Sequence, residues 1–209
     1  MNILNVFFPQ TFRFPDSKYN KNISVLRYLN SATLAVDGLI ESGEVMFQVW
    51  KKAIKRLLPK TFTPQKALLL GLAGGCNAHL VNRYFPKCQI TAIEIDPLMI
   101  EIGKKYFNLG KVKYLKVIIT DALDYTMDLK NTNRFDLVMV DCFIGVDIPK
   151  KLEDVNFLKK LKQHSRYVLI NRLWWQKEKL VTSKFFQAIA PNLFFIKTRT
   201  GSNVIISLV

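Results

Sequence analysis

The sequence predicts an α/β fold built on a doubly wound, mostly parallel sheet. From Lys66 onward, five short apolar runs alternate with segments whose apolar residues recur at helical spacing. Near-continuous apolar strands separated by amphipathic helices are typical of a parallel sheet that helices cover on both faces. Two further apolar runs, 192–198 and 203–209, flank the turn RTGS and predict a closing antiparallel hairpin. Together these runs predict a seven-stranded sheet with a reversed C-terminal edge.

The elements of this sheet can be placed along the chain in order. The strands are predicted at KALLLG, CQITAIE, KYLKVII, FDLVMVD and SRYVLIN. The helices between them are predicted at residues 78–84, 98–107, 122–127, 152–162 and 178–189. His164, which precedes the fifth strand, is expected to be exposed to solvent.

The residues before the sheet predict a small extension. The segments NVF, FRF and SVLRYL alternate apolar and polar residues and are interpreted as short strands, and 31–38 predicts another strand that ends in a turn. Residues 45–58 have an apolar stripe at helical spacing with lysines on the other face, which predicts an amphipathic helix. We therefore expect a hairpin and helix extension over 1–60 and a nucleoside-binding domain over 61–209.

Composition restricts the class of protein. The chain has 209 residues, of which 49% are hydrophobic, as expected for a globular domain. No apolar run reaches the ~18 residues of a membrane span, and the N-terminus lacks a signal-peptide pattern, so a cytoplasmic protein is expected. Cys76, Cys88 and Cys142 have no CxxC spacing and are expected to be reduced thiols, and no His, Cys or Asp spacing predicts a metal.

The charge of the chain is strongly positive, with 31 basic and 16 acidic residues and a net charge of +15. Such an excess is typical either of a nucleic-acid or membrane-surface partner or of a generally lysine-rich surface. The basic residues are scattered and do not interleave with aromatic residues, which favours the second interpretation. Nucleic-acid binding is therefore left open but not favoured, and no membrane association is expected.

Polar residues at three predicted strand ends indicate a nucleoside pocket, because ligands of such sheets bind outside the carboxyl ends of the strands. The first strand runs into the glycine-rich turn GLAGG. Glu94 ends the second strand, 94 − 71 = 23 residues after Gly71, near the ~20 expected for a carboxylate on ribose hydroxyls. Asp121 follows the third strand, where it could accept from a purine amino group. The alternatives are that both acids cap helices and that the glycines serve packing.

The stretch VMVDCFIGVD brings two carboxylates after the fourth strand. Asp141 is interpreted as a catalytic group, a cofactor contact or the polar end of the strand. Cys142, its neighbour on an extended strand, is expected to point to the opposite face and to be buried. Asp147 reaches the site only if the loop folds back. Trp174, after the fifth strand, is expected either to form an aromatic wall for a substrate or to pack in the core.

These motifs together resemble the spermidine synthase-like branch of the class I S-adenosylmethionine-dependent methyltransferase superfamily, over roughly residues 34–209. GLAGGCNAHLVNRYFP is similar to the family's glycine loop and first helix, and ITAIEIDPLMIEIGKKYF to its second strand and helix. RFDLVMVDCFIGVDIPKKL is similar to its fourth strand and following loop, and LAVDGLIESGEVMFQVWKKAI to its N-terminal hairpin and helix. The resemblance implies a Rossmann-like class I fold, S-adenosylmethionine or its decarboxylated form as cofactor, and a homodimer.

The resemblance also implies roles for the matching residues. Glu94 would bind ribose, Asp121 with Ala122 the adenine edge, and Asp141 the reacting end of the cofactor. The remaining cofactor-binding candidates lie in or beside the first two motifs: Gly71, Leu72, Gly74, Gly75 and Ile95. The candidates for substrate binding, besides Trp174, are Glu41, Trp50 and Phe143.

The chain departs from the family's pattern at four positions. Aminopropyl-transferring members have an acid in the glycine loop that holds the amine of decarboxylated S-adenosylmethionine, and this chain has Gly74 there. They have a second acid three residues after the strand-end aspartate, which accepts a proton from the attacking amine, and this chain has Ile144. The family's hairpin glutamine is Glu41 here, and a tyrosine of the next helix is replaced by Trp50.

These departures favour methyl transfer from intact S-adenosylmethionine to an unidentified acceptor, such as a small amine. Aminopropyl transfer to a polyamine, RNA methylation and a non-catalytic cofactor-binding module remain alternatives. Asp141 and Asp147 are the catalytic candidates, with Glu41 beside them, because a carboxylate near an amine can take its proton.

Overall fold

The computed structural model describes residues 8–130, 132–145 and 147–208 of the chain. The strand predicted at NVF lies outside these residues. The described residues form two sheets, an N-terminal antiparallel sheet and a larger mixed sheet that carries the predicted strand–helix units.

The N-terminal extension contains more strands than the predicted hairpin. Its four strands pair in chain order, each antiparallel to the next. They are β1 (Gln10–Arg13), β2 (Ser24–Tyr28), β3 (Ser31–Val36) and β4 (Leu39–Ser42). Helix α1 (Glu44–Leu57) follows, and its buried residues recur every three or four positions, which confirms the predicted amphipathic helix.

The main sheet has seven strands in the order β10-β11-β9-β8-β5-β6-β7. The strands are β5 (Lys66–Leu70), β6 (Gln89–Glu94), β7 (Leu115–Ile119), β8 (Phe135–Val140), β9 (Ser165–Leu173), β10 (Phe195–Thr200) and β11 (Asn203–Leu208). Strands β5 to β9 are parallel, and β11 runs antiparallel to both β9 and β10. The order reverses between β5 and β8, so the predicted doubly wound sheet with a reversed hairpin is confirmed.

Helices connect the parallel strands as predicted. They are α2 (Cys76–Tyr84), α3 (Pro97–Tyr106), α4 (Ala122–Met127), α5 (Val155–His164) and α6 (Glu178–Ile189). None of the helices in the described ranges is long and apolar enough to cross a membrane.

Three local predictions were wrong. The helix predicted over 152–162 is divided into a 3-10 segment, Lys150–Glu153, and α5, because the Asp154 carboxylate accepts hydrogen bonds from the first amides of α5 and caps it. Strand β10 begins at Phe195 rather than at 192. His164 is buried rather than exposed to solvent, and its ring Nδ1 lies 2.8 Å from the carbonyl oxygen of Asn133, within hydrogen-bond distance.

Apolar side chains from both faces of the main sheet form the core. One cluster joins the sheet to α1 and α2 around Trp50, and a second joins it to α5 and α6 around Phe157. A third cluster packs the N-terminal sheet on α3, through Leu34 and Ile102 among others. The N-terminal sheet is thereby held over the carboxyl edge of the main sheet, beside the point where the strand order reverses.

Candidate cofactor and acceptor site

A cavity of about 230 Å³ opens at the carboxyl ends of β5, β6, β7 and β8. The N-terminal extension contributes Asn20, which lies between β1 and β2, together with Val36 and Glu41, and the segment after β8 also lines the cavity. The charged residues that line it are five acids and one base: Glu41, Glu94, Asp121, Asp124, Asp141 and Lys151. The cavity is therefore acidic although the chain as a whole carries a charge of +15.

Gly71 allows the glycine turn to approach the end of β8. Its φ is +84°, and a Cβ on this residue would lie 2.2 Å from the carbonyl oxygen of Asp141. Only glycine fits such an approach at a left-handed backbone conformation. Gly71 lines the cavity, as predicted for a cofactor contact.

Glu94 organises the glycine turn from the end of β6. Its Oε2 accepts hydrogen bonds from the amides of Leu72 and Ala73, each over 2.9 Å, and its Oε1 accepts from the amide of Asp96 over 3.0 Å. A carboxylate has about four acceptor positions, so one remains for a ligand. Glu94 lines the cavity and can accept a hydrogen bond from one ribose hydroxyl.

Three predicted contacts of the glycine turn do not line the cavity: Leu72, Gly74 and Gly75. Leu72 is buried. The space next to Gly74 is occupied by Ser42, because a Cβ on Gly74 would lie 2.8 Å from the Ser42 Cβ, and the Gly74 amide donates to Ser42 Oγ over 3.0 Å. These three residues therefore contribute to the packing of the glycine turn and not to the cavity wall.

Asp121 and Ala122 lie at the opposite end of the cavity, at the start of α4. Asp121 Oδ1 accepts from the amides of Leu123 and Asp124 over 2.6 and 3.4 Å, which is the helix-capping alternative. The cap uses Oδ1 in these two hydrogen bonds, and Asp121 also lines the cavity, as Ile95 does. The two interpretations of Asp121 are therefore compatible.

Three N–H groups hold the carboxylate of Asp141 at the end of β8. Trp50 Nε1 and Asn77 Nδ2 donate to Oδ2 over 2.8 and 3.1 Å, and Asn171 Nδ2 donates to Oδ1 over 2.8 Å. Asn203 Nδ2 in turn donates to Asn171 Oδ1 over 3.0 Å. Because all three partners are donors, they favour the ionised, acceptor-only form of Asp141 and fix its orientation.

Burial opposes this ionisation. It raises the pKa of the Asp141 carboxyl above its ordinary value of 3.8, while the hydrogen bonds from Asn171, Trp50 and Asn77 act in the other direction. The pKa of Glu41 is raised well above its ordinary value of 4.5, first by burial and then by the negative charges of Asp141 and Glu94. A cation bound in the cavity would relieve this repulsion.

The segment after β8 forms part of the wall. Cys142, Phe143 and Ile144 line the cavity, so Cys142 is only half-buried rather than buried as predicted. Ile144 and Asp147 close a tight turn, in which the Ile144 amide donates to the Asp147 carbonyl over 2.9 Å. Asp147 is not among the described residues that line the cavity, so the structure does not bring this predicted catalytic acid to the site.

Two predicted substrate contacts lie elsewhere in the described structure. Trp50 is fully buried in the core, and its indole N–H reaches Asp141 rather than the cavity. Trp174 stacks on Phe186, with ring centroids 6.0 Å apart, and packs against the core cluster that joins the main sheet to α5 and α6. The core alternative for Trp174 is therefore the observed one.

Three asparagines of the site were not predicted. Asn20 lines the cavity, and its Nδ2 donates to Asp96 Oδ2 over 2.7 Å. Asn77 and Asn171 hold Asp141. Asn171 ends the predicted strand SRYVLIN, which is the signal that singled out Glu94, so it could have been found from the sequence. No comparable signal marks Asn20 or Asn77.

Known proteins resemble this chain in sequence. The family model "Spermine/spermidine synthase domain" matches residues 44–193. The eEF1A lysine and N-terminal methyltransferase homolog of Drosophila melanogaster is 37% identical over 118 residues, which are 53% of this chain and 17% of that protein. The polyamine aminopropyltransferase of Chromobacterium violaceum is 23% identical over 155 residues, 73% of this chain and 58% of that protein. The chain thus spans less than two thirds of the length of these relatives.

Solved structures resemble it as well. Human methyltransferase-like protein 13 in complex with SAH matches 69% of this chain and 71% of its own, with 28% identity and a TM-score of 0.54. The spermidine synthase of Thermotoga maritima matches 97% of this chain and 71% of its own, with a TM-score of 0.70. Its identity of 16% supports the fold alone.

Proposed function

The chain belongs to the spermine/spermidine synthase family, and on that premise we propose that it is an S-adenosylmethionine-dependent methyltransferase that acts on an amine nitrogen. The observation that carries this proposal is the acidic cavity, in which carboxyl groups from the ends of β6, β7 and β8 surround one space. A cationic sulfonium cofactor and an ammonium-bearing acceptor both suit such a site, because opposite charge lowers the cost of burying these carboxylates.

The residues of the cavity fit a nucleoside cofactor with a positive charge. Glu94 has one acceptor position left for a ribose hydroxyl, and Asp121 lies where a base amino group would donate. We propose that the base packs on the apolar wall that Leu152 and Ile95 provide. Asp141 and Glu41 supply negative charge at the other end, near the glycine turn. In this arrangement no metal is needed to bind the cofactor.

The transfer needs an acceptor nitrogen that has lost its proton. S-adenosylmethionine, when bound, would supply an electrophilic methyl group on a sulfonium sulfur, and the neutral thioether, which keeps the C–S electron pair, would be the leaving group. Asp141, held by three donors, orients the ammonium group through an N–H···O bond. We assign the proton to Glu41, which lines the cavity together with Asp141, because burial and the charges of Asp141 and Glu94 raise its pKa and so make it a stronger base than an ordinary carboxylate.

Gly74 favours methyl over aminopropyl transfer. In the resembling aminopropyltransferases this position carries the acid that holds the free amine of the decarboxylated cofactor. Here Ser42 fills the space in which any side chain would begin. Ile144, 43% exposed on the cavity wall, replaces the second acid of those enzymes with an apolar surface.

The acceptor that we propose is a primary amine, on a lysine side chain or a protein N-terminus. The names of the methyltransferase relatives support this class, and relatives of this kind from Drosophila and mouse are 37% and 35% identical over about half of this chain. Location in the cytoplasm stays part of the proposal.

Aminopropyl transfer is the second candidate, because one observation favours it. The α-carboxylate of intact S-adenosylmethionine needs a positive partner, and Lys151 is the single basic side chain among the described residues of the cavity wall. The decarboxylated cofactor has no such group. A diamine acceptor would also suit the five acids.

The test compares both cofactors and several acceptors. Titration calorimetry measures binding of S-adenosylmethionine and of its decarboxylated form, and mass spectrometry measures transfer to lysine peptides, free N-termini, putrescine and RNA. We expect one added methyl group on a peptide amine, and transfer by Glu41→Gln about 10²- to 10⁴-fold slower at saturating cofactor. An aminopropyl group on putrescine would establish the second candidate. Cofactor binding without transfer to any acceptor would instead identify a binding module.

A further inference from the structure

A buried ion pair lies behind the cavity wall. Arg172 Nη1 contacts Glu153 Oε1, with 2% of the arginine side chain and 24% of the glutamate side chain exposed. The guanidinium carbon also lies 4.3 Å from the centre of the Phe185 ring. Among the described residues, Arg172 Nε has no hydrogen-bond partner. Glu153 is therefore the one carboxylate that pairs with this buried charge in the described structure.

Stability alone gives little reason for such a pair. Replacing a buried ion pair by apolar residues of similar volume is often neutral or stabilising, because desolvation of two charges offsets their attraction. The lowered pKa of Arg172, caused first by burial, reflects the same desolvation. Because burying the charge of Arg172 costs desolvation free energy, we expect its role to be the placement of Glu153 rather than stability.

The partner belongs to the segment after β8 that forms part of the cavity wall. Glu153 ends the 3-10 segment Lys150–Glu153, and Pro149, Lys151 and Leu152 line the cavity. Leu152 packs in the same core cluster as Ala122. Glu153 follows Leu152 directly, so the position of Glu153 constrains where Leu152 lies in the cavity wall.

The strand that carries Arg172 also supports the reacting end. Arg172 follows Asn171, which donates to Asp141. Neighbouring residues on a strand point to opposite faces of the sheet, so the end of β9 supports Asp141 on one face and the 3-10 segment on the other. A single strand end thus fixes two walls of one cavity.

We infer that Arg172 is a positioning residue that holds the 3-10 segment against β9 and so sets the wall on which the cofactor's base packs. This inference rests on the proposed function, because it assumes a nucleoside ligand. Arg172 touches neither cofactor nor acceptor, and acts through Glu153 and Leu152.

The test removes both charges at once. In Arg172→Met/Glu153→Gln no buried charge is left unpaired, so we expect a melting temperature close to that of the wild type. Affinity for S-adenosylmethionine, measured by calorimetry, is expected to fall at least about tenfold, the lower end of what loss of supporting contacts costs at metal sites. The control Lys177→Met/Glu178→Gln removes a loose pair, 4.0 Å apart, in which 81% of the lysine side chain is exposed, and should leave the affinity for S-adenosylmethionine unchanged.

A second readout does not depend on any ligand. Cys142 lines the cavity beside this wall, and Cys88 is buried at the other end of the sheet, next to the start of β6. Alkylation of each cysteine is followed by peptide mass spectrometry. Opening of the wall should accelerate alkylation of Cys142 and leave Cys88 unchanged.

The outcomes separate the inference from the proposed function. Wild-type affinity in the double variant, or equal acceleration at both cysteines, would overturn the positioning role. If the wild type binds neither form of the cofactor, the proposed function fails, and the contrast between Cys142 and Cys88 still decides the positioning role. Should the double variant not fold, Arg172→Lys replaces it, because a lysine keeps the charge without the planar fork, and the same cysteine contrast is expected.

Discussion

Replacement of Trp50 by phenylalanine tests how the site carboxylate is held. Trp50 is fully buried, and its Nε1 donates to Asp141 Oδ2 over 2.8 Å. Phenylalanine keeps most of the apolar packing in the core and removes this donor. Asp141 keeps the donors from Asn77 and Asn171.

The expected loss of stability depends on the charge of Asp141, which accepts the hydrogen bond. A hydrogen bond to an ionised group contributes about 1.5–3 kcal/mol to stability. For a domain of 150–250 residues each kcal/mol corresponds to about 2–4 °C, so we expect the melting temperature to fall by about 3–12 °C. Since Trp50 lowers the pKa of Asp141, its removal raises that pKa further.

The sign of the pH dependence follows from this shift. Below the ordinary value of 3.8, Asp141 is protonated in both the folded and the unfolded chain, and the lost donor matters least. As pH rises, Asp141 ionises in the folded wild type before it ionises in the folded variant, whose pKa is higher, so the difference in unfolding free energy between the two proteins grows. Chemical denaturation near the ordinary value, at pH 4, and at pH 8 measures this difference.

The matched control is Trp175→Phe, because Trp175 is 39% exposed. It should change stability by less than about 0.5 kcal/mol at either pH. If Trp50→Phe behaves like this control, or if its loss of stability is the same at both pH values, the assigned hydrogen bond to an ionised Asp141 is wrong.

Two further predictions concern the walls of the site. Because the pKa of Glu41 is raised in the folded chain, folding becomes less favourable as pH rises above 4.5, so Glu41→Gln should be more stable than the wild type at pH 8 and lose this advantage toward pH 4, as measured by chemical denaturation. Gly74→Ala places a Cβ 2.8 Å from the Ser42 Cβ and should cost about 1–3 kcal/mol, whereas Gly110→Ala, with no atom within 4 Å of the added Cβ, should have a much smaller effect; equal effects would refute the steric argument.

The main sheet could be predicted because its signals are local. Each parallel strand is a short apolar run, and each helix has its own apolar period, so neither needs information from distant residues. The ends of these runs also located Gly71, Glu94, Asp121 and Asp141 at one edge of the sheet. The one helix that was misplaced, 152–162, is interrupted by a cap at Asp154 that the periodicity does not show.

The errors fall where packing decides the outcome. His164 is polar and was expected in solvent, but the adjacent loop carbonyl of Asn133 satisfies its ring nitrogen in the interior. Trp174 packs on Phe186. The residue type alone does not show whether such a side chain is buried or exposed. A polar group can be buried wherever it finds a hydrogen-bond partner, and an aromatic ring wherever the surrounding side chains leave room for it.

The sequence by itself determined the fold, the edge that carries the site and the acidic residues at the strand ends. The tertiary structure alone decided what holds those residues. Asp141 receives its three donors from residues 91, 64 and 30 positions away in the chain, on α1, α2 and β9. Ser42 excludes a side chain at Gly74 from 32 residues away. Strand and helix periods report which face a residue occupies, whereas hydrogen bonds and excluded volume depend on which distant elements meet, and only the folded chain brings those together.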